Sequence, residues 1–210
     1  MKNIAVFVSG SGTNLENLAV KIEKGELKNC RIALVVCDNP KAYALERSRK
    51  HKLEVCLIEK ERFATKGEFE SDILNELSKR KIGVIALAGY MRIVGKPILN
   101  KYKWKMINIH PALLPKFPGA HAIQDAWEAS VDESGVTVHF VDEGVDTGPI
   151  IMQKTVKRGA SDTIETFERK IHEVEYELYP KVLQMLVDER LSVAENKVNL
   201  DGKPLTVLVQ

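Results

Sequence analysis

The sequence is short of cysteine, and the cysteines that it has form no metal or redox motif. Cys30, Cys37 and Cys56 are odd in number, widely spaced, and lie mostly within or beside apolar runs. No CxxC pair is present, so the pattern offers neither a zinc site nor a redox centre of that type. This usage is typical of reduced thiols in the core of a cytoplasmic protein.

An excess of charge of one sign and long apolar runs are also missing. The 31 basic and 29 acidic residues are well mixed and leave a net charge of +2, so no overall field predicts a nucleic-acid or membrane partner. No apolar stretch reaches the roughly 18 residues of a transmembrane helix, and no signal-peptide pattern follows Met1. We therefore expect a cytoplasmic protein whose partners are small molecules. Local positive charge on its surface could still bind an anionic small molecule.

Short apolar runs alternate with segments of helical periodicity along the chain. Its 210 residues suit a single domain that buries roughly 70% of its unfolded surface. The alternation predicts a three-layer α/β fold with a mostly parallel, twisted sheet, right-handed crossovers and helices on both faces. Strands are predicted at 4–8, 32–36, 55–58, 84–88, 107–110, 136–141 and 150–156. Helices are predicted at about 15–22, 42–51, 66–80 and 122–130, and from Thr163 onward, with Pro180 kinking or breaking the last one.

The end of the chain has the pattern of a β-hairpin. Strands at 193–200 and 205–209 flank Asp201-Gly202, a typical turn pair. We expect this hairpin to lie at an edge of the sheet.

A glycine-rich loop, Ser9–Asn14, links the first predicted strand to the first predicted helix. Glycines let backbone N–H groups face a ligand, and the helix start adds partial positive charge, so the loop suits a phosphate. The alternative is a tight turn capped by Thr13 or Asn14. A dinucleotide site would need a third glycine where Leu15 stands, with Asp38 as its ribose-binding acid. Asp38 is better explained as a turn residue.

Two polar side chains lie two residues apart at the end of the fifth predicted strand. Because side chains alternate along a strand, Asn108 and His110 project from the same face. Pro111 ends the strand, and strand ends are where open α/β sheets hold their ligands. An amide beside an imidazole can stabilise an oxyanion and move a proton. The alternative is a turn-forming asparagine and a histidine satisfied in the core.

Other candidates come from a loop and from the last helix. Asp146 is the carboxylate in the middle of the turn-rich stretch 144–149, where a plain turn former is an equal alternative. His172, Glu175 and Tyr179 fall on one polar stripe of the helix that begins at Thr163. Such a stripe usually indicates a solvated face.

Together these segments resemble the folate-dependent formyltransferases along nearly the whole chain. The Asn-x-His-Pro motif followed by an aspartate is similar to a wide group that includes methionyl-tRNA formyltransferase and formyltetrahydrofolate deformylase. The Ser-Gly-Ser-Gly-Thr-Asn loop, and a length without room for a tRNA-binding or regulatory domain, indicate the members that formylate glycinamide ribonucleotide. The matching segments are 9–14, 88–93, 108–118, His139, 146–149, Glu175 and 178–180.

The resemblance implies transfer of a formyl group from 10-formyltetrahydrofolate, as co-substrate, to the amine of glycinamide ribonucleotide in purine biosynthesis. Residues 1–100 would be the phosphate- and nucleotide-binding half of one domain, 1–210, and residues 101–210 the folate-binding and catalytic half. The implied catalytic residues are Asn108, His110 and Asp146. The implied ligands of glycinamide ribonucleotide are Gly12, Thr13, Asn14 and Glu175. The implied contacts of the formyl-folate are Lys66, Met91, Arg92, Ile93, Val94, Asn108, Asp142, Glu143, Gly144 and Val145.

The resemblance also assigns supporting roles and shows two departures. His139 would prop the catalytic groups, no metal would be needed, and a metal site at His110, His139 and Asp146 is the alternative. Lys66 stands where family members often carry an arginine, and it lacks the planar fork of that side chain. Tyr176 directly follows Glu175, at a position where family members often carry a histidine. The protein would be a monomer or a weak homodimer.

The implied reaction is direct attack of the amine on the formyl carbon through a tetrahedral intermediate. Asn108 and a protonated His110 would donate to the oxyanion, with Asp146 favouring the imidazolium and ordering a water that relays the proton. No serine or cysteine lies in the core motif, which argues against an acyl-enzyme. The alternatives are a formyltetrahydrofolate hydrolase and a non-enzymatic module that binds a phosphate ligand through the glycine-rich loop.

Overall fold

The structure, a computed structural model, describes residues 1–205. Its strands are β1 Lys2–Val8, β2 Cys30–Cys37, β3 Val55–Leu57, β4 Val84–Leu87, β5 Met106–His110, β6 Glu133–Phe140 and β7 Ile150–Lys157. Its helices are α1 Thr13–Glu23, α2 Ala44–Lys50, α3 Lys66–Lys79, α4 Lys96–Lys101, α5 Ala122–Glu128 and α6 Ile164–Val187. The seven strands are ordered β3-β2-β1-β4-β5-β6-β7. The predicted α/β class is confirmed.

The chain divides into two compact units, and the first is Met1–Met106. Its strands β1, β2, β3 and β4 pair in parallel, as predicted. Residues 4–8 of β1 are completely buried, which explains their uninterrupted apolar run. In the ladders Val8 lies opposite Cys37, and Phe7 lies opposite Leu87. The loops that follow β1, β2 and β4 therefore leave the sheet at the same edge.

The second unit begins at Ile107, and its strands pair in antiparallel fashion. β6 and β7 are joined by residues 141–149, a connection too short for the crossover that a parallel pair would need. In the ladder between β5 and β6, Asn108 lies opposite His139 and His110 lies opposite Thr137. This register places the amide of one strand beside an imidazole of the next.

Helix α6 is continuous through Pro180, so a break of the helix at that residue, one of the two predicted outcomes, is wrong. The helix packs on β6 and β7 and buries Leu178, Tyr179 and Leu183 together with the proline. That burial offsets the backbone hydrogen bond that proline cannot make. The short helix α4, with a proline in its first turn, was not predicted because six residues carry too little periodicity.

The tail forms a separate antiparallel sheet of three strands, β8 Leu191–Ala194, β9 Lys197–Leu200 and β10 Lys203–Pro204. The predicted strand 193–200 is therefore wrong, because a turn at Glu195-Asn196 divides it, with both residues at positive φ. The predicted turn at Asp201-Gly202 is confirmed. The predicted strand 205–209 lies, beyond Leu205, outside the described residues.

No helix among residues 1–205 has the length and apolar character to cross a membrane.

Candidate active site

The amide of Asn108 connects the second unit's candidate groups. Its Nδ2 donates to Asp146 Oδ1 at 3.2 Å and lies 3.2 Å from His139 Nε2. His139 Nδ1 is 2.8 Å from the carbonyl oxygen of Phe140. A carbonyl can only accept, so His139 carries its hydrogen on Nδ1, and its Nε2 accepts from the amide. Both amide hydrogens are thereby engaged, and an oxyanion would have to replace one of these two acceptors.

Asp146 faces both histidines and is more than a turn former. Its residue has φ +54°, and its carboxylate accepts the backbone N–H of Gly119 at 2.8 Å. Oδ2 lies 3.3 Å from His110 Nδ1, and Oδ1 lies 3.5 Å from His139 Nε2. Burial acts to raise the pKa of Asp146, but the hydrogen bonds to its carboxylate and the positive charge of the two imidazoles when they are protonated lower it overall. The carboxylate is therefore held in its charged form.

The loop that carries Asp146 is shaped by two close approaches. A Cβ at Gly148 would overlap the carbonyl oxygen of Phe140, and one at Gly144 would overlap the hydroxyl of Thr147. That hydroxyl donates to Asp142 Oδ1 at 2.8 Å. Only glycine fits at Gly148, where the clash is with backbone, and a side chain at Gly144 would displace the Thr147 hydroxyl.

His110 is buried, and its tautomer is fixed by a carbonyl. Its Nε2 lies 2.7 Å from the carbonyl oxygen of Phe117, so the hydrogen is on Nε2. Burial lowers the pKa of His110 below 6.5, although Asp146 acts to raise it. Asp146 therefore favours the imidazolium form of His110, as expected, while burial opposes it more strongly.

An NMR titration of the His110 ring is expected to show a midpoint below pH 6.5. The Asp146→Asn variant should titrate lower still, since the charge that raises this pKa is removed. The unfolded chain binds the proton at higher pH than the folded one, so the histidine's contribution to stability falls as the pH drops from about 6.5 toward the lowered pKa. A His110→Gln spectrum assigns the signal, and a midpoint above 6.5 would show that the charge of Asp146 outweighs burial at this ring.

Glu175 on α6 is buried beside His172, whose Nδ1 lies 2.8 Å from its carboxylate. That hydrogen bond raises the pKa of His172. Tyr179, one turn further, is also fully buried, so the expectation of a solvated stripe is wrong. The Glu175 charge acts to raise the pKa of His110, which places it within electrostatic reach of the catalytic candidates.

In the first unit, the glycine-rich loop leads directly into α1. Gly12 occupies the N-cap with φ +74°, and no side chain caps the helix, so the alternative of a turn capped by Thr13 or Asn14 is wrong. The loop is held by α2: the Ala44 N–H donates to the Gly10 carbonyl at 3.1 Å. Arg47 Nε donates to the Ser11 carbonyl at 2.9 Å. Because no side chain caps this helix, its positive end suits an anion.

The segment after β4 presents two apolar side chains. Met91 is 63% exposed and Ile93 is 59% exposed, whereas Val94 is buried. Arg92, between them, forms an ion pair with Asp38. Sequence reasoning missed this role of Asp38, because a carboxylate ahead of a proline is adequately explained by a turn.

The remaining predicted folate contacts differ in their surroundings. Lys66 is 57% exposed and lies 3.5 Å from the buried carboxylate of Glu70. In the second unit the residues Glu143, Gly144 and Val145 are exposed, while Asp142, half-buried, accepts the Gly144 N–H at 3.1 Å. Across residues 1–205, no three His, Cys, Asp or Glu side chains are arranged to hold a metal ion.

Comparison with known proteins finds the same family throughout. Residues 2–183 match the model of the formyl transferase family. The chain is 44% identical over 187 residues to the phosphoribosylglycinamide formyltransferase of Bacillus subtilis, which covers 89% of this chain and 95% of that protein. It is 37% identical over 205 residues to the enzyme of that name from Haemophilus influenzae, with coverage of 98% and 96%.

A solved structure agrees with these relatives. Glycinamide ribonucleotide transformylase 1 from Symbiobacterium toebii superimposes with a TM-score of 0.91 at 36% identity, covering 95% of this chain and 94% of that chain. The similarity in sequence and in structure thus extends over nearly the full length of each protein.

Proposed function

The chain belongs to the formyl transferase family, and from this premise we propose how its site residues divide the work. It is a folate-dependent formyltransferase of purine biosynthesis that acts on glycinamide ribonucleotide. We propose 10-formyltetrahydrofolate as the formyl donor. The observation that carries the catalytic assignment is the contact of Asp146 with both Asn108 and His110, which lie on a separate segment of the sequence.

Asn108 and His110 are proposed to stabilise the oxyanion that forms when the amine attacks the formyl carbon. The amide has two hydrogens and the imidazole has one on Nε2, so each can donate to the oxyanion once that oxygen replaces its present acceptor, which for His110 is the Phe117 carbonyl. Each donor placed in a water-poor site contributes about 3 kcal/mol to the transition state. Burial of His110 and of its neighbour His139 supports such a site.

His110 and Asp146 are proposed to manage the proton. The attacking amine must lose one proton, and N10 of the folate must gain one as its bond to the formyl carbon breaks. His110 Nδ1 faces Asp146 Oδ2 at 3.3 Å, and in the neutral ring, whose hydrogen is on Nε2, Nδ1 is free to accept a proton. A proton taken up there, directly or through a water, is stabilised by the carboxylate and can then pass to N10. No bond between enzyme and formyl group is required.

The binding residues keep the roles implied by the resemblance. Support for a phosphate at Gly12, Thr13 and Asn14 comes from the uncapped start of α1. Glu175 is proposed to bind the nucleotide. The proposed folate contacts are Met91, Arg92, Ile93, Val94, Asn108, Asp142, Glu143, Gly144, Val145 and, less directly because it pairs with Glu70, Lys66.

The deciding experiment measures release of tetrahydrofolate with and without glycinamide ribonucleotide. A transferase releases it only when the nucleotide is present and forms one formylated product for each folate released. A formyltetrahydrofolate hydrolase would release it equally without the nucleotide. A phosphate-binding module would bind the nucleotide in calorimetry but neither bind nor consume the folate.

Treatment with a chelator is expected to leave the rate unchanged, because amide and imidazole donors supply the electrophilic role. The assay compares protein before and after dialysis against a strong chelator. Loss of activity that zinc restores would instead favour a metal held by His110, His139 and Asp146. The control is protein dialysed in the same way without chelator.

We further propose that the protein works in the cytoplasm as a monomer or weak homodimer, on small molecules alone. The balanced charge, with a net value of +2, supports the absence of a nucleic-acid or membrane partner. Sedimentation at several protein concentrations tests the oligomeric state.

A further inference from the structure

We propose that Asp38 is a positioning residue that sets the conformation of the segment Met91–Val94. The inference rests on the proposed function, in which that segment binds the formyl-folate. Asp38 follows β2 and touches no residue assigned to chemistry. It acts instead through two neighbours, Ser9 and Arg92.

The first connection is a relay of hydrogen bonds through a serine. Ser9 Oγ donates to Asp38 Oδ1 at 2.6 Å, and the same Oγ accepts the backbone N–H of Met91 at 2.9 Å. The hydroxyl has a single hydrogen, so acceptance from Met91 leaves that hydrogen for the carboxylate. The carboxylate therefore fixes the orientation in which Ser9 holds the first residue of the segment.

The second connection is an ion pair. Arg92 Nε lies 2.6 Å from Asp38 Oδ2, and its guanidinium stands over the ring of Phe69, 5.8 Å from the centroid. Asp38 is only 8% exposed, and Arg92 is its one ion-pair partner among residues 1–205. A buried carboxylate is costly unless paired, so this cation is held where it is. The two terminal nitrogens of Arg92 make no hydrogen bond within that same range.

The sheet explains why one carboxylate can reach both neighbours. Ser9, Asp38 and the residues after β4 leave adjacent parallel strands at one edge. The Ser9 N–H donates to the Gly89 carbonyl at 3.0 Å, so the loop after β1 is already held against the loop after β4. Asp38 adds the constraints at Met91 and Arg92. Because Met91 and Ile93 are exposed, these constraints order a surface that otherwise has little packing to hold it.

The test measures binding of a non-reactive 10-formyl-folate analogue by calorimetry, together with kcat and both KM values. Asp38→Asn keeps an acceptor for Ser9 but removes the charge that holds Arg92. It should raise Kd and KM for the folate about tenfold, as expected for loss of a charged hydrogen bond. Both kcat and KM for glycinamide ribonucleotide should stay within about twofold.

Ser9→Ala removes the relay with the ion pair intact, and should also raise the folate KM at unchanged kcat. Adding Asp38→Asn to an Arg92→Met variant should bring little further loss if the carboxylate acts through the arginine. Asp72→Asn, an exposed acid on α3, is the matched control and should behave as wild type. A melting temperature for each variant identifies unfolding.

Folate Kd within twofold of wild type in Asp38→Asn would overturn the proposal. So would a variant in which kcat, both KM values and the melting temperature change together, since that pattern indicates a purely structural role. Failure of the proposed function is seen separately, in wild-type protein that neither binds the analogue nor forms formylated product.

Discussion

Asp146→Asn is expected to lower kcat by about 10²- to 10⁴-fold while changing both KM values little. The asparagine fills the same space and can still accept the Gly119 N–H. It loses the negative charge that faces His110 Nδ1 at 3.3 Å and His139 Nε2 at 3.5 Å. The proton released by the attacking amine then has no stabilised position on the imidazole. The loss therefore appears in the chemical step and not in substrate binding.

The measurement is steady-state formyl transfer with each substrate varied in turn. Asp125→Asn, an exposed carboxylate on α5, is the control and should retain wild-type rates. His110→Ala should lose a comparable factor, and the double variant little more, because the two groups act as one unit. A near-normal kcat in Asp146→Asn would remove this carboxylate from the mechanism.

The parts of the fold that could be predicted from sequence are those with strong local patterns. The apolar run 4–8, which is completely buried, correctly predicted strand β1. The helical spacing of apolar residues predicted α3 to within a few residues of its ends. The turn at Glu195-Asn196 was missed because the apolar residues on either side of it were assigned to one continuous strand. Pro180 was misjudged because the packing that tolerates it is tertiary.

The site shows the same division between local and tertiary information. Strand parity alone put Asn108 and His110 on one face, and the structure bears this out. Parity could not show that Asp146 returns to contact both, since that contact depends on the loop between β6 and β7. The lowered pKa of His110 was not predicted for the same reason, because burial is not visible in a motif. The burial of Asp38 and of Glu175 could not be predicted for the same reason.

Gly12→Ala is expected to raise the KM for glycinamide ribonucleotide by at least about tenfold, with the folate KM unchanged. Gly12 has φ +74°, and a Cβ there would lie 2.6 Å from Ala44 Cβ and 2.8 Å from Ala44 Cα. The left-handed conformation alone costs an alanine about 1–2 kcal/mol. Because Ala44 belongs to α2, the clash is relieved only by moving that helix or the start of α1, whose N–H groups are proposed to bind the phosphate.

Gly10→Ala is the matched control, two residues earlier in the same loop. No atom lies within 4 Å of a Cβ at Gly10, and this residue is not in the left-handed region, so it should keep a wild-type KM. A substrate without the phosphate, glycinamide riboside, separates binding from general damage. If Gly12 acts through the phosphate, the alanine variant should handle the riboside as wild type does. An equal loss with both substrates would instead show that the shifted helix disturbs the protein more widely, and an unchanged nucleotide KM would remove the phosphate from this loop.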